Sequence, residues 1–239
     1  MSHTRMERAM PHAMQRQSAG RRLANEIAAR LAELPSRTTP AMRRLRGDYS
    51  RLLSDATPDL VIQTALVLVS RADLICRFFS YEIVASHKAA FASLTTSQLL
   101  KLGQGIDHWA AVDTFACYLS GPAWRDGRLS KAVIRGWAQS SDHWWRRAAL
   151  VSTVALSRRG TSEDMRQTVE ICAMLAADYE DMVVKALSWA LRELAKKNAS
   201  EARRFLVSHS DDLAARVKRE VRNKLTTGLK NPRRKAEQP

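Results

Sequence analysis

Apolar residues recur at three- and four-residue intervals through two long stretches, 142–159 and 180–197. That is the period of a helix with one buried face. Val151, Val154 and Ala155 share a face in the first, and Val184, Leu187, Leu191 and Leu194 share one in the second. Comparable patterning from about Gly20 to Gly228 predicts a succession of helices. Four starts carry capping chemistry: Thr57 before Pro58, Thr96 before Ser97-Gln98, Ser162 before Glu163-Asp164, and Ser200 before Glu201. Each places a side-chain oxygen where the first helical turn has free amides.

The pattern also repeats. Asp107-His108-Trp109 returns as Asp142-His143-Trp144, 35 residues later. The helix at 180–194 echoes the one at 142–156 about 38 residues on, with Arg147-Ala148 matched by Lys185-Ala186. Paired-helix solenoids use periods of this size, because each pair buries its apolar face on its neighbours. The expected fold is therefore an all-α solenoid whose concave side is the binding surface. Its domain is expected over 20–229, between a disordered basic tail at 1–19 and a basic tail at 230–239. Gly and Pro number only 9 and 7, too few for the many tight turns of a sandwich or barrel.

Charge narrows the function. Lys and Arg outnumber Asp and Glu by 39 to 24, for a net +15. Twenty-nine of those cations are Arg, whose planar fork suits phosphate. Cys76, Cys117 and Cys172 stand far apart with no C-x-x-C pair, so neither a disulfide framework nor a thiolate metal site can be read from them, and a reducing cytoplasm is the natural compartment. The longest apolar run, Ile171 to Ala177, is far short of a membrane span, and no secretory core segment opens the chain. The six histidines form no close ligand pair, so neither metal nor other cofactor is expected.

Three placements stand out on the predicted helices. Trp109 and Asp113 lie four residues apart and share a face. Arg147 follows Trp144 by three residues in the next repeat, and Trp189 sits between Lys185 and Arg192. Equivalent faces of stacked repeats would line one groove with two indoles, a carboxylate and several cations. Trp124, Trp137 and Trp145 are assigned to the core, the usual place for a Trp on a helix. Spacing alone leaves open whether such a groove binds or catalyses.

From about Thr39 to Leu225 the chain resembles the bacterial DNA glycosylases with HEAT-like repeats that act in alkylation repair, the alkylpurine DNA glycosylase D type. The resemblance is carried by Thr39-Pro40-Ala41-Met42-Arg43-Arg44-Leu45, Trp109-Ala110-Ala111-Val112-Asp113, Trp144-Trp145-Arg146-Arg147-Ala148-Ala149, and Lys185-Ala186-Leu187-Ser188-Trp189-Ala190-Leu191-Arg192-Glu193, followed by Arg219-Glu220. It implies a right-handed solenoid of HEAT-like antiparallel helix pairs whose basic concave face holds duplex DNA. It places the family's catalytic aspartate on Asp113 and its two cleft tryptophans on Trp109 and Trp189. It puts a phosphate-gripping arginine on Arg147 and a second phosphate contact on Arg192, with Lys185, Arg43 and Arg44 as further DNA contacts. The aromatic residue of the family's N-terminal helix is missing, since the chain there reads Asn25-Glu26-Ile27-Ala28.

The chemistry fits so sparse a site. A purine alkylated at N3 or N7 is cationic and departs neutral, so it needs no general acid. One carboxylate then suffices to stabilise the oxocarbenium-like sugar and orient water, where a poor leaving group would need two. The expected protein is a monomeric, cytoplasmic, nucleoid-associated enzyme of base excision repair acting on alkylated duplex DNA, away from membranes. Two alternatives share the scaffold. One is a non-catalytic binder of damaged or branched DNA, against which the retained Asp113 counts. The other is a protein-binding adaptor, which would be expected to show an apolar or mixed groove.

Overall fold

A computed structural model describes residues 12–36, 38–159 and 161–232. They contain helices and no strand, as the patterning predicts. The remainder of the expected tails, 1–11 and 233–239, lies outside the described residues. The chain divides into two compact units, residues 1–106 and 107–239.

The first unit contains α1 (His12–Ala32), α2 (Thr39–Leu52), α3 (Pro58–Val69), α4 (Leu74–Ser86), α5 (Lys88–Ser93) and α6 (Thr96–Gly103). Residues 12–19, expected in a tail, are instead the first turns of α1. A buried stripe at Gly20, Ala24, Ile27 and Leu31 explains why the helix persists. Gly20 has no side chain, and a Cβ there would meet Gln63 Cβ at 2.9 Å, so α1 lies directly on α3. Helix α3 is the hub: it packs against α1, α4, α5 and α6 and buries Val61, Ile62, Ala65 and Leu68 among them.

The second unit contains α7 (Trp109–Phe115), a π-helical turn (Ala116–Ser120), α8 (Gly121–Arg125), α9 (Lys131–Ala138), α10 (His143–Arg159), α11 (Ser162–Met174), α12 (Asp181–Lys197), α13 (Ala199–Ser208) and α14 (Ala215–Thr227). Contacts run in a row from α7 to α10, α12 and α14, while α11 packs on α10 and α12, and α13 packs on α12. The π-helical turn ends at Ser120, just before Gly121-Pro122, where Pro122 has no N–H for an ordinary helical bond. A Cβ on Gly121 would meet Ser152 O at 2.7 Å, so only glycine lets α8 approach α10 this closely.

Helix α10 departs from the half-buried expectation. Its residues 147–154 are all buried, more than two full turns. A helix enclosed on every side must satisfy its polar groups internally. Accordingly Ser152 Oγ donates to Ala148 O at 2.7 Å, and Thr153 Oγ1 to Leu150 O at 2.6 Å. Ser152 and Ser120 hydroxyls also meet at 2.7 Å. Helix α12 keeps the predicted face, with Val184, Leu187, Leu191 and Leu194 buried.

Thr57 caps α3 as predicted, but three other caps sit earlier than the sequence pattern indicated. Thr95 and Thr161 close capping boxes with Gln98 and Asp164, and Asn198 caps α13. The box requires its partner three residues on. Thr95–Gln98 and Thr161–Asp164 meet that spacing, whereas Thr96 and Ser162 do not.

Candidate functional site

The repeat seen in the sequence becomes a register in the structure. The fifth residues of α7, α10, α12 and α14 are Asp113, Arg147, Lys185 and Arg219, at successive offsets of 34, 38 and 34 residues. All four line one pocket of about 670 Å³ in the second unit. Trp109, the first residue of α7, and Trp189, from the middle of α12, line it too, as do Arg192, Arg216 and Lys230. Six basic residues thus face two acidic ones, Asp113 and Glu220.

The Asp-His-Trp repeat caps helices by two routes. His108 Nδ1 accepts from Ala110 N at 3.2 Å to open α7. At α10 it is Asp142 Oδ1 that accepts, from Trp144 N at 2.9 Å. The first route leaves Trp109 48% exposed on the pocket.

Asp113 and Arg147 form the centre. Arg147 Nε donates to Oδ1 and Nη2 to Oδ2, both at 2.9 Å, in a fork that fits a carboxylate. Arg147 Nη1 donates to Met182 O at 2.6 Å, which ties the pair to α12. The Arg147 residue is 5% exposed, and the Asp113 side chain 19%. Burial pushes the Asp113 carboxyl above its ordinary value, while the Arg147 hydrogen bonds and charge pull against that rise. Arg147 was expected to grip a phosphate. Its fork is spent inside the protein, because α10 is the enclosed helix of its unit.

Lys185 and Arg216 differ. Both bind Asp181, Lys185 Nζ at 2.6 Å from Oδ2 and Arg216 Nη1 at 3.0 Å from Oδ1. These pairs are surface-lying, with the Lys185 side chain 41% exposed. Arg219 is exposed on α14 and has no ion pair or hydrogen bond among the described residues.

A second carboxylate organises the far wall. Glu220 is buried, and Ser188 Oγ donates to its Oε2 at 2.6 Å. Arg192 Nε lies 3.9 Å and Lys230 Nζ 3.6 Å from the same oxygen. Burial pulls the Arg192 guanidinium below its ordinary value, opposed by Glu220 and Glu193. Trp189 Nε1 donates to Glu193 Oε1 at 3.3 Å, which fixes the indole.

Sequence reasoning therefore found Trp109, Asp113, Arg147, Lys185, Trp189 and Arg192, and the structure gathers all six in one pocket. Arg43 and Arg44 are exposed on α2 in the first unit. Arg216, Lys230 and the holding role of Glu220 were missed. Counting residues from each helix start would have found Arg219. The start of α14 was hidden, because its cap position is Ala214, which offers no side-chain bond. Ile27, in the stretch where the resembled family has an aromatic residue, is fully buried core. Trp124 and Trp137 are buried, and Trp145 packs on Trp137 with ring centroids 4.8 Å apart.

The described residues contain no group of three His, Cys, Asp or Glu side chains placed to hold a metal. None of their helices is long and apolar enough to cross a membrane.

An all-helical protein with a cation-lined, indole-bearing pocket is the class that fold and site define. Comparison with protein families then gives its place: the family described as DNA alkylation repair enzyme matches residues 36–225, most of the chain. The protein belongs to that family, and its role lies in DNA alkylation repair. Neither the curated proteins nor the solved structures provide a significant match.

Proposed function

We propose that the protein is a DNA glycosylase that hydrolyses the N-glycosidic bond of cationic N3- or N7-alkylated purines in duplex DNA. One observation carries this reading. One of the pocket's two carboxylates, Asp113, is gripped through both oxygens by buried Arg147 beside two indoles and an excess of cations. The row of α7, α10, α12 and α14, with α11 and α13 packed on it, supports HEAT-like helix pairs as the scaffold.

The steps are dictated by charge. Lys185, Arg192, Arg216 and Arg219 bind backbone phosphates, and counterion release favours the complex. The bond between the sugar C1′ and the base nitrogen breaks with its electron pair going to the base, which leaves neutral because it was cationic. The sugar is left oxocarbenium-like. Asp113 stabilises it by charge, and Arg147 holds the carboxylate in place so that little reorganisation is needed. Each Asp113 oxygen retains acceptor capacity beyond its bond to Arg147, enough to orient the water that attacks C1′ and to take the proton it sheds as the new C–O bond forms. The faces of Trp109 and Trp189 stabilise positive charge through their π systems. Family resemblance supports capture of the lesion through its backbone rather than by flipping the base into a closed pocket.

The test is a duplex bearing one 7-methylguanine, with strand breaks scored after alkali. The wild type should release the base, and Asp113→Asn should lower the rate by about 10²–10³-fold while still binding duplex. A duplex carrying uracil should stay intact, because uracil would depart as an anion without an acid. Wild-type rates in Asp113→Asn would remove Asp113 from the chemistry, and efficient uracil release would require a general acid. One observation favours a second reading, a non-catalytic DNA binder: a carboxylate with both oxygens engaged also makes a structural strut. Tight duplex binding without release from any cationic lesion would select that reading.

A further inference from the structure

The two indoles of the pocket are held differently. Trp109 is 48% exposed, and its Nε1 has no hydrogen-bond acceptor among the described residues. Trp189 is half-buried, and its Nε1 donates to Glu193 Oε1 at 3.3 Å, four residues on along α12. Glu193 is itself 6% exposed and does not line the pocket. Lys196 Nζ forms an ion pair with the same oxygen at 2.8 Å. Spacings of four and three place Trp189, Glu193 and Lys196 along one face of the helix. A buried acid is costly unless its oxygens are used, and this one is used on an indole.

The pairing changes what the ring can do. An N–H that donates to an anion is polarised, and the shared charge strengthens the bond. The anion pushes electron density from the N–H bond into the ring, so the indole face becomes more negative and attracts a cation more strongly. The pocket has need of such a surface. Six basic residues line it, and its two carboxylates are already engaged, Asp113 by Arg147 and Glu220 by Arg192 and Lys230. We propose that Glu193 makes Trp189 a charge detector, so that this wall prefers a base bearing positive charge over a neutral one of the same shape. Glu193 is a positioning residue that acts through the indole, and Trp189 carries the contact. Trp109, lacking an acceptor, presents an unpolarised face. This inference rests on the cationic-lesion reading above and adds the residue that enforces it.

The experiment measures affinity for two duplexes in mildly acidic buffer. One carries 7-methylguanine and the other its neutral isostere 7-methyl-7-deazaguanine, both on 2′-fluoro sugars so that no base departs. The wild type should favour the cation. Glu193→Gln keeps an acceptor but not the charge, and should lose about threefold to fivefold of that preference. Trp189→Phe should lose it too, and adding Glu193→Gln to Trp189→Phe should change nothing further, because that ring has no N–H to polarise. In the wild type, the Trp189 indole proton should resonate downfield of the Trp109 one and exchange more slowly with water, a readout that needs no substitution at Glu193. The proposal is overturned by an unchanged preference in Glu193→Gln, or by an undiminished effect of that change in the Trp189→Phe background. A Trp189 proton that exchanges as fast as that of Trp109 also overturns it. A wild type that binds both duplexes equally overturns charge detection and leaves DNA binding standing, whereas one that binds neither overturns the DNA reading itself.

Discussion

Helices α10 and α12 are the same length, 17 residues each, and present a cation at the same fifth position. The sequence treats Arg147 and Lys185 as equivalents. Their surroundings make them opposites. Helix α10 is enclosed, so Arg147 is buried, bidentate to Asp113 and bonded to a carbonyl of α12. Helix α12 faces the pocket with one side, so Lys185 stays half-exposed on a surface partner, Asp181. Even the partners titrate in opposite directions. Asp113 is raised because burial outweighs its pairing, and Asp181 is lowered because the Lys185 hydrogen bond outweighs burial. One register therefore yields a residue that holds the carboxylate and another that keeps its charge at the pocket surface.

The contrast breaks most visibly in stability. Arg147→Ala leaves a largely buried carboxylate without its partner and should cost about 3 kcal/mol or more. Lys185→Ala removes a surface pair and should cost less than about 1 kcal/mol. Urea titration of both variants measures the gap, and similar midpoint shifts would mean the two cations are alike after all.

Catalysis should show the next largest difference. Arg147→Lys keeps the charge but loses the fork, so Asp113 is no longer held through both oxygens. Single-turnover release of 7-methylguanine should fall by about tenfold to a hundredfold, whereas Lys185→Arg should stay near the wild-type rate. A fully active Arg147→Lys enzyme would show that orientation of the carboxylate is unimportant.

Salt dependence sharpens the comparison further. Lys185→Ala should flatten the slope of log K against log salt for duplex binding by about one unit. Arg147→Met should leave the slope in place, because that guanidinium is spent on Asp113. Flattening by both would put Arg147 on a phosphate.

The smallest effect is in titration. If the proposed mechanism holds, base release requires the Asp113 carboxylate and should be lost as pH falls through a value above the ordinary 3.8. Between 3.8 and that raised value the native state binds more protons than the unfolded chain. Stability from this group therefore declines as pH rises through the window. Asp181 works the other way: its contribution is present above 3.8 and is lost as pH falls through its lower folded value. Because it is exposed, that contribution is small. Carboxyl NMR titration should find Asp113 above 3.8 and Asp181 below it, and the reverse order would contradict the burial argument.

The sequence by itself determined the all-helical class, the repeat of about 35 residues and six of the pocket residues. Helical period, capping chemistry and residue spacing are local, and a local pattern survives into any packing that buries its apolar face. The capping shifts at Thr95 and Thr161 were within reach of the same rules, since the three-residue box was already written in the chain. Tertiary structure alone decided which cation is buried. Burial depends on how many neighbours surround a helix, and α10 has them on every side while α12 does not. It also decided that the chain after α14 returns to the pocket through Asn223, Lys230 and Glu220. No periodic pattern records a contact between a turn and the helix before it. The cost of desolvating a charge is set by everything around it in three dimensions, which is why two cations equal in sequence ended with different work.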